Sequence, residues 1–353
     1  MDYKVIIVGA GPAGIFSAVT LADQGIKPIH LLELGKDLSE RKRRNSNDML
    51  CGWGGAGAYS DGKLTLSSEI GGLLGEYLEP DSLNQILQTS DEIWVEHGAP
   101  EAVFGEASPE LEDLADRARL ANLVLIPSRI RHIGTENCQV VLDRLRQSMV
   151  DRVETRTSTP VENLLAENGR IQGVKLESGE TLTSQFVVAA PGRSGASWMK
   201  KEAESLGLNT QASPVDIGVR VELPAPVLKN ITDIIYESKL IYYSKTFDEK
   251  VRTFCMNPYG EVVIEKTKEV VTVNGHSYAR KKSENTNFAI LVSSAFTEPF
   301  DDPIGYGLYI ARLANLLGNG PIVQRLGDLL TGRRSTPERI NRCLTRPTLP
   351  EAT

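Results

Sequence analysis

Lys4-Val5-Ile6-Ile7-Val8-Gly9-Ala10-Gly11-Pro12-Ala13-Gly14 stands almost at the start of the chain and reads as a strand running into a glycine-rich turn. The apolar, largely β-branched run up to Val8 suits a parallel strand buried on both faces. Beyond the glycines, Ile15, Ala18, Val19 and Ala22 fall on one helical face, and Gly25 is placed to end the helix as its C′ residue. A second strand, Pro28 to Glu33, then ends in an acid. Each glycine has a physical task. Gly9 permits the tight turn, Gly11 lets main chain approach a pyrophosphate, and Gly14 allows the helix to pack against the strand. The first turn of the helix offers unpaired N–H groups and the positive end of its dipole to the phosphates. Glu33 follows Gly14 by about 20 residues, the separation at which a carboxylate accepts hydrogen bonds from an adenosine ribose. Because that acid would repel a 2′-phosphate, FAD or NAD is expected rather than NADP. A lone GxGxxG is a weak signal, but strand, turn, helix, strand and acid in order within about 30 residues supply the βαβ context it requires.

Composition narrows the function classes. The 353 residues carry 39 Lys+Arg against 46 Asp+Glu, a net charge of −7, so no domain offers the basic footprint of nucleic-acid binding, and the run Arg41-Lys42-Arg43-Arg44 is too short to supply one. With 41% apolar and 24% charged residues, neither disorder nor a fibrous repeat is expected. Met1-Asp2-Tyr3-Lys4 runs straight into the first strand, and no stretch of 18 apolar residues follows, so a cytoplasmic protein without an integral membrane segment is expected. Cys51, Cys138, Cys255 and Cys343 lie far apart, which excludes CxxC zinc ribbons and closely spaced redox dithiols. His30, His97, His132 and His276 are unpaired at helical spacing, so no metal site is expected.

Two further segments favour a flavin over a plain nicotinamide cofactor. Cys51-Gly52-Trp53-Gly54-Gly55-Ala56-Gly57-Ala58-Tyr59-Ser60-Asp61-Gly62-Lys63-Leu64 is a second glycine-rich loop, dense enough to let main chain lie against a large flat ligand or a phosphate; the plainer reading is a surface loop. A β-meander is predicted over Val161 to Leu165, Ile171 to Glu177 and Thr181 to Ala189, with turns at Asn168-Gly169 and Ser178-Gly179, ending in Ala190-Pro191-Gly192. Together these features resemble the glutathione-reductase-like FAD flavoproteins. More narrowly, the loop from Gly52 to Leu64, His132-Ile133-Gly134-Thr135, Arg252-Thr253-Phe254-Cys255-Met256 and Asn274-Gly275 are similar to uncharacterised bacterial and archaeal FAD-dependent dehydrogenases.

The resemblance implies cofactor contacts at Gly9, Gly11, Pro12, Ala13 and Gly14 for the pyrophosphate, Glu33 for the ribose, and Val161 for the adenine through its backbone. It places Gly54, Gly55, Gly57, Ser60 and Asp61 on the flavin side, Ala190 and Gly192 at a second dinucleotide contact, and Arg41 near the phosphates. The family normally closes the flavin pocket with a Gly-Asp or Gly-Glu strand end and a glycine-rich helix. Here the nearest match, Gly327-Asp328, lies in a predicted helix Ile322 to Leu330, so that closing segment is expected to be missing and the chain to be a shortened form.

The fold expected is α/β: a Rossmann-like FAD/NAD(P)-binding domain with a β-meander (1–64 and 120–200), a helical insertion (65–119), a mixed, largely antiparallel β substrate domain (201–345) and a connector-like end (346–353). Asp81 or Ser82 is placed to cap a helix bearing Leu83, Ile86 and Trp94, and Ser108-Pro109 to open one bearing Leu111, Leu114 and Ala118. Leu123 to His132 reads as one strand, Cys138 to Met149 as a helix, and Ile217, Val219, Val221 and Leu223 as the buried face of another strand. A flavin carries its own redox chemistry, so no side chain is obliged to act as acid or base. Cys51, Lys63, His132, Arg220 and Cys255 are candidates, each with a structural reading that is at least as plain. The function expected is an FAD-dependent oxidoreductase of a small-molecule or lipid-like substrate, with NAD(P)H as a candidate donor although no second dinucleotide module follows the first. The alternatives are an NAD-binding enzyme using only the N-terminal βαβ unit, or a catalytically incomplete flavin-binding protein.

Overall fold

The run Tyr3–Val8 (β1) buries Val5, Ile6, Ile7 and Val8 because it has a parallel neighbour on each side. Ile29–Leu32 (β2) pairs with it along one edge, Val8 opposite Leu32, and Glu154–Arg156 (β3) pairs in parallel beyond β2. The other edge of β1 pairs with a long strand that closes the meander. That meander comprises Val161–Glu167 (β4), Arg170–Leu176 (β5) and Thr181–Ala189 (β6), joined by the predicted turns, where Asn168, Gly169 and Gly179 take positive φ. The first half of β6 pairs antiparallel with β5 and its second half parallel with β1, giving the order β3-β2-β1-β6-β5-β4. Ile6, Val8, Leu32, Val174, Leu176 and Leu182 form one apolar cluster on this sheet. This is the expected Rossmann-like sheet with its meander.

The structure, a computed structural model, describes residues 1–42, 46–211, 213–267, 269–296, 302–318 and 320–349. The chain divides into two units. One comprises Met1–Gly62, Glu92–Ala99 and Thr135–Gln211; the other comprises Lys63–Asp91, Pro100–Gly134 and Ala212–Thr353. Helix α1 (Pro12–Asp23) of the first unit buries Gly14, Ile15, Ala18, Val19 and Ala22, and Gly25 with φ +74° follows its end as predicted. A Cβ on Gly14 would lie 1.8 Å from the carbonyl oxygen of Gly9, so only glycine lets α1 approach the strand end this closely. Gly14→Ala is therefore expected to destabilise the protein by about 3 kcal/mol, the upper part of the usual overpacking range, read from the urea unfolding midpoint.

In the second unit every described strand pairing is antiparallel. Five strands lie in the order Val215–Pro224, Asn285–Ser294, Lys250–Asn257, Lys239–Tyr243, Val124–Ile126; Glu261–Lys266 and Val271–His276 form a hairpin; Lys63–Thr65, Ile130–His132 and Val103–Phe104 form a small third sheet. The segment 65–119 is thus not a purely helical insertion, and 120–134 groups with this unit rather than with the nucleotide domain. Leu123 to His132 is two strands in different sheets, broken at Pro127, which has no N–H to give a ladder. The helix expected over Cys138–Met149 spans Thr135–Gln147 (α2), and the one expected over Ile322–Leu330 is only Leu326–Leu330. On Val215–Pro224, Ile217, Val221 and Leu223 are half-buried and Gly218 exposed, in line with the expected alternation; Val219 departs from it at 65% exposed, and Arg220 and Glu222 are half-buried as well. Polar partners hold these last two: Asn287 accepts from Arg220 at 2.7 Å, and Asn285 and Thr348 donate to Glu222. Ser108 caps Pro109–Leu120 as predicted, its hydroxyl accepting from the Leu111 N–H at 3.2 Å. Among the described residues no helix is long and apolar enough to cross a membrane. Within the expected connector 346–353, Pro350 to Thr353 lie outside the described residues.

Candidate functional site

The carboxyl ends of β1, β2 and β6 open onto a cleft of about 360 Å³ in the first unit. Strand order reverses at this point, since β2 lies on one side of β1 and β6 on the other, which is where open α/β sheets bind their ligands. Gly9, Gly11 and Pro12 line it from the first turn, Glu33 from the end of β2, and Gly55 and Gly57 from the second glycine loop. Val161 opens the meander side of the cleft, and Ala190 and Gly192 line it after β6. The structure therefore brings nine of the predicted cofactor residues to one cavity. Ala13, Gly14, Arg41, Gly54, Ser60 and Asp61 do not line it.

The three motif glycines separate by cause. Gly9 has φ +103°, and a Cβ there would sit 2.2 Å from the Ala190 carbonyl oxygen. With Gly14, it is a glycine because the protein's own packing leaves no room. Gly11 is different: its backbone is extended, with φ −76° and ψ 180°, and a Cβ on it would meet nothing within 4 Å. Among the described residues nothing requires glycine at this position. Gly11 also caps α1 without a side-chain hydrogen bond, and Pro12 occupies the first helical position, so the first turn has no capping side chain at its amides.

The second loop is built against this turn. The Gly54 N–H donates to the Ala10 carbonyl at 2.8 Å, and a Cβ on Gly55 would come within 3.0 Å of the Gly11 Cα. Glu33 ties the two loops and its own strand end together. Only 5% exposed, its carboxylate accepts from the N–H groups of Ala10 at 2.7 Å, Gly35 at 2.8 Å and Gly52 at 2.9 Å. The expected ribose ligand is thus first a main-chain organiser that also borders the cleft.

Arg41 corrects the expectation of a phosphate contact. It is buried, and its guanidinium donates to the carbonyls of Asp48 at 2.6 Å and Gly55 at 2.8 Å and also to that of Trp53, with the Tyr59 ring 5.0 Å away. Burial pulls its pKa down from the usual arginine value. Arg41 staples the loop from Asp48 to Gly55, and its donors point at carbonyl oxygens rather than into the cleft. The neighbouring candidates Arg43 and Arg44 lie outside the described residues. Arg41→Met should leave these buried carbonyls unpaired, at about 1–3 kcal/mol each before relaxation, and lower both the unfolding midpoint and dinucleotide affinity, whereas Arg41→Lys restores only part of either.

Two residues were missed or underread. Trp53, which sequence reading left without a role within the glycine loop, is fully buried and donates its indole N–H to the Leu142 carbonyl at 3.2 Å, plugging the loop into α2. Arg193, in the turn after Gly192, is the one cation among the described residues lining the cleft. A basic residue directly following the meander's closing glycine was the available signal.

The candidate reactive groups are occupied structurally. Cys51 lies 3.6 Å from the Glu33 carboxylate, and burial together with that charge pushes its thiol up to about 11. It is a neutral thiol near pH 7. Lys63 pairs with Glu237 at 2.7 Å and donates to the Met256 carbonyl at 2.8 Å. Arg220 donates to Asn287 and, at 3.2 Å, to the carbonyl of Cys255, whose own N–H donates to Glu237 at 3.0 Å. His132 is buried against the hydroxyls of Ser277 at 2.9 Å and Tyr236 at 3.4 Å. Lys63, Arg220 and Cys255 therefore share one polar cluster in the second unit, to which sequence reading did not assign Glu237 or Asn287. No group of three or more potential metal ligands occurs among the described residues.

Comparison with known proteins adds family context. Residues 214–338 match the family model described as FAD-dependent protein, C-terminal domain-like. An uncharacterised protein of Clostridium beijerinckii is 28% identical over 366 residues, which cover 94% of this chain and 61% of that protein, so the chain spans about three-fifths of the relative's length. Among solved structures, glycine oxidase from Bacillus cereus aligns at 14% identity over 88% of this chain and 77% of its own, with a TM-score of 0.40. The glycerol-3-phosphate dehydrogenase of Bacillus halodurans complexed with FAD aligns at 11% identity over 96% of this chain and 55% of its own, also with a TM-score of 0.40.

Proposed function

We propose that the chain is an FAD-dependent oxidoreductase acting on a small-molecule substrate, with the ADP half of the cofactor held in the cleft of the first unit. The observation that carries this reading is Gly11, a glycine that the chain's own packing does not demand, set at the uncapped start of α1 and facing open space. A pyrophosphate accounts for it, because main chain without a Cβ and unpaired N–H groups are what such an anion requires. Arg193 supplies the nearby positive charge that the sequence had suggested for Arg41. Glu33, held in place by three main-chain donors, turns its remaining acceptor capacity to the ribose. Val161 takes the adenine side, and Gly55 and Gly57 let the second loop lie close to the cofactor without side chains in the way. The match over residues 214–338 to a family of FAD-dependent proteins favours FAD over NAD.

Bound FAD supplies the capacity to accept and pass on electrons. The chain's residues bind and orient it, and Cys51, neutral beside Glu33, takes no part as a nucleophile. All four cysteines are free thiols, consistent with a protein working in the reducing cytoplasm. An absorption spectrum of the purified full chain, taken after mixing with FAD and removing the excess, tests the reading. The expected result is one flavin per chain that bleaches anaerobically on chemical reduction and recovers in air. The same cuvette tests NAD(P)H as the donor. A chain that retains no flavin, or retains NAD instead, overturns the proposal.

A further inference from the structure

The second unit contains a cavity of about 460 Å³ that the flavin reading does not use. Its walls are mainly apolar, with Val221, Leu223, Val262, Val273, Ile322 and Ile340 among them. A volume of this size, apolar with few polar groups, is that of a small-molecule site. The segment 322–325, expected to be helical, runs instead without regular structure along this cavity.

Charge at the cavity is unequal. Arg325 lines it, and its Nη1 stands 3.7 Å from the carboxylate of Asp328, a residue only 1% exposed. That carboxylate is already taken: Arg333 donates to it at 2.8 Å and Ser335 at 3.0 Å, while Arg339 stands at 3.7 Å. Burial opposes its ionisation, yet the hydrogen bonds from Arg333 and Ser335 and the charges of Arg333 and Arg325 hold Asp328 below the usual carboxylate range. Three guanidinium groups thus surround one buried negative charge. The other two charged residues on the cavity wall, Arg220 and Glu222, carry opposite charges and are each held by neutral partners, Asn287 and the Cys255 carbonyl for Arg220, Thr348 and Asn285 for Glu222, so together they add no net charge. The excess positive charge therefore lies in the three guanidinium groups around Asp328, and Arg325 is the one of the three that lines the cavity.

We propose that this cavity binds an amphipathic anion, an apolar chain ending in a carboxylate or phosphate, with the chain along the aliphatic wall and the oxyanion on Arg325. A guanidinium fork suits either head group. The site is defined by residues of the second unit alone and does not depend on the flavin proposal.

Calorimetric titration of the full chain with decanoate, decyl phosphate, decan-1-ol and acetate tests it. Saturable one-to-one binding is expected for the two anions, with decanol about tenfold weaker, the loss of one charge-assisted contact, and with no detectable binding of acetate. The tighter of the two anions identifies the head group. Arg325→Gln, at a partly exposed side chain, should weaken both anions about tenfold and leave decanol unchanged. Val273→Trp, which fills the cavity, should abolish binding of all three chain-bearing probes, with circular dichroism confirming the fold. Absence of saturable anion binding, equal affinity for decanol, or an Arg325→Gln variant that binds decanoate as the parent does would each overturn the proposal.

Discussion

Gly11→Asp is expected to leave the unliganded protein as stable as the parent, or slightly more so, while lowering its affinity for FAD roughly a thousandfold. Aspartate is among the best residues at a helix N-cap, and its charge beside the start of α1 adds about 0.3–1 kcal/mol through the helix dipole. The backbone there is extended and the space around an added Cβ is open, so the substitution meets no strain. A carboxylate about 4 Å from a phosphate, at the effective dielectric of a partly buried site, costs about 4 kcal/mol, which is the thousandfold loss. Urea unfolding of the unliganded variant and an FAD titration read the two quantities separately. Gly9→Ala and Gly14→Ala provide the contrast, because in both cases the new Cβ collides with a carbonyl oxygen and stability falls before any ligand is added.

Glu33→Gln is expected to be the most damaging single change to the site. The carboxylate receives three main-chain N–H donors, from three different loop segments, at 2.7–2.9 Å. Glutamine has one acceptor oxygen: placed where Oε1 stands it keeps the Gly35 and Gly52 donors but turns its NH₂ on the Ala10 N–H, and placed where Oε2 stands it leaves both of the others unpaired, so at least one buried N–H loses its acceptor and faces a like group. At about 1–3 kcal/mol for each unsatisfied buried donor, and with the ionic character of all three bonds lost, a destabilisation of about 3–5 kcal/mol follows. The unfolding midpoint should fall accordingly, and FAD affinity should fall with it because the loop carrying Gly52 to Gly57 is no longer tied to the first turn. Parent-like stability in the glutamine variant would contradict the organising role assigned to Glu33.

The βαβ start was legible because several independent constraints coincide over a few residues. Val5 to Val8 could be read as doubly buried, Gly25 as a helix stop, and Gly9 and Gly14 as close-approach positions, and each observation holds. The meander was equally legible, since Asn168-Gly169 and Ser178-Gly179 carry the conformations that hairpin turns need. Arg41 was misread for a physical reason. A run of four basic residues does not say which one is drawn inside, and a buried guanidinium bonded to carbonyl oxygens has no sequence signature. Trp53 was underread because its partner, the Leu142 carbonyl, is 89 residues away. The half-burial of Arg220 and Glu222 on Val215–Pro224 arises from long-range partners as well. Arg220 and Glu222 are drawn inward by Asn287, Asn285 and Thr348, and no local periodicity reports them. Leu123 to His132 was the avoidable miss, because Pro127 lies in the middle of the presumed strand.

The placement of the ADP half of FAD in the first unit's cleft is tested most directly by calorimetric competition. The full chain is titrated with FAD alone, with FAD in the presence of saturating ADP, and with FMN. One-to-one binding of FAD is expected, with a competitive loss of apparent affinity in ADP and no comparable binding of FMN, which lacks the adenosine proposed to meet Glu33 and Val161 on the cleft wall. FMN binding as tightly as FAD, or FAD binding indifferent to ADP, would contradict this placement.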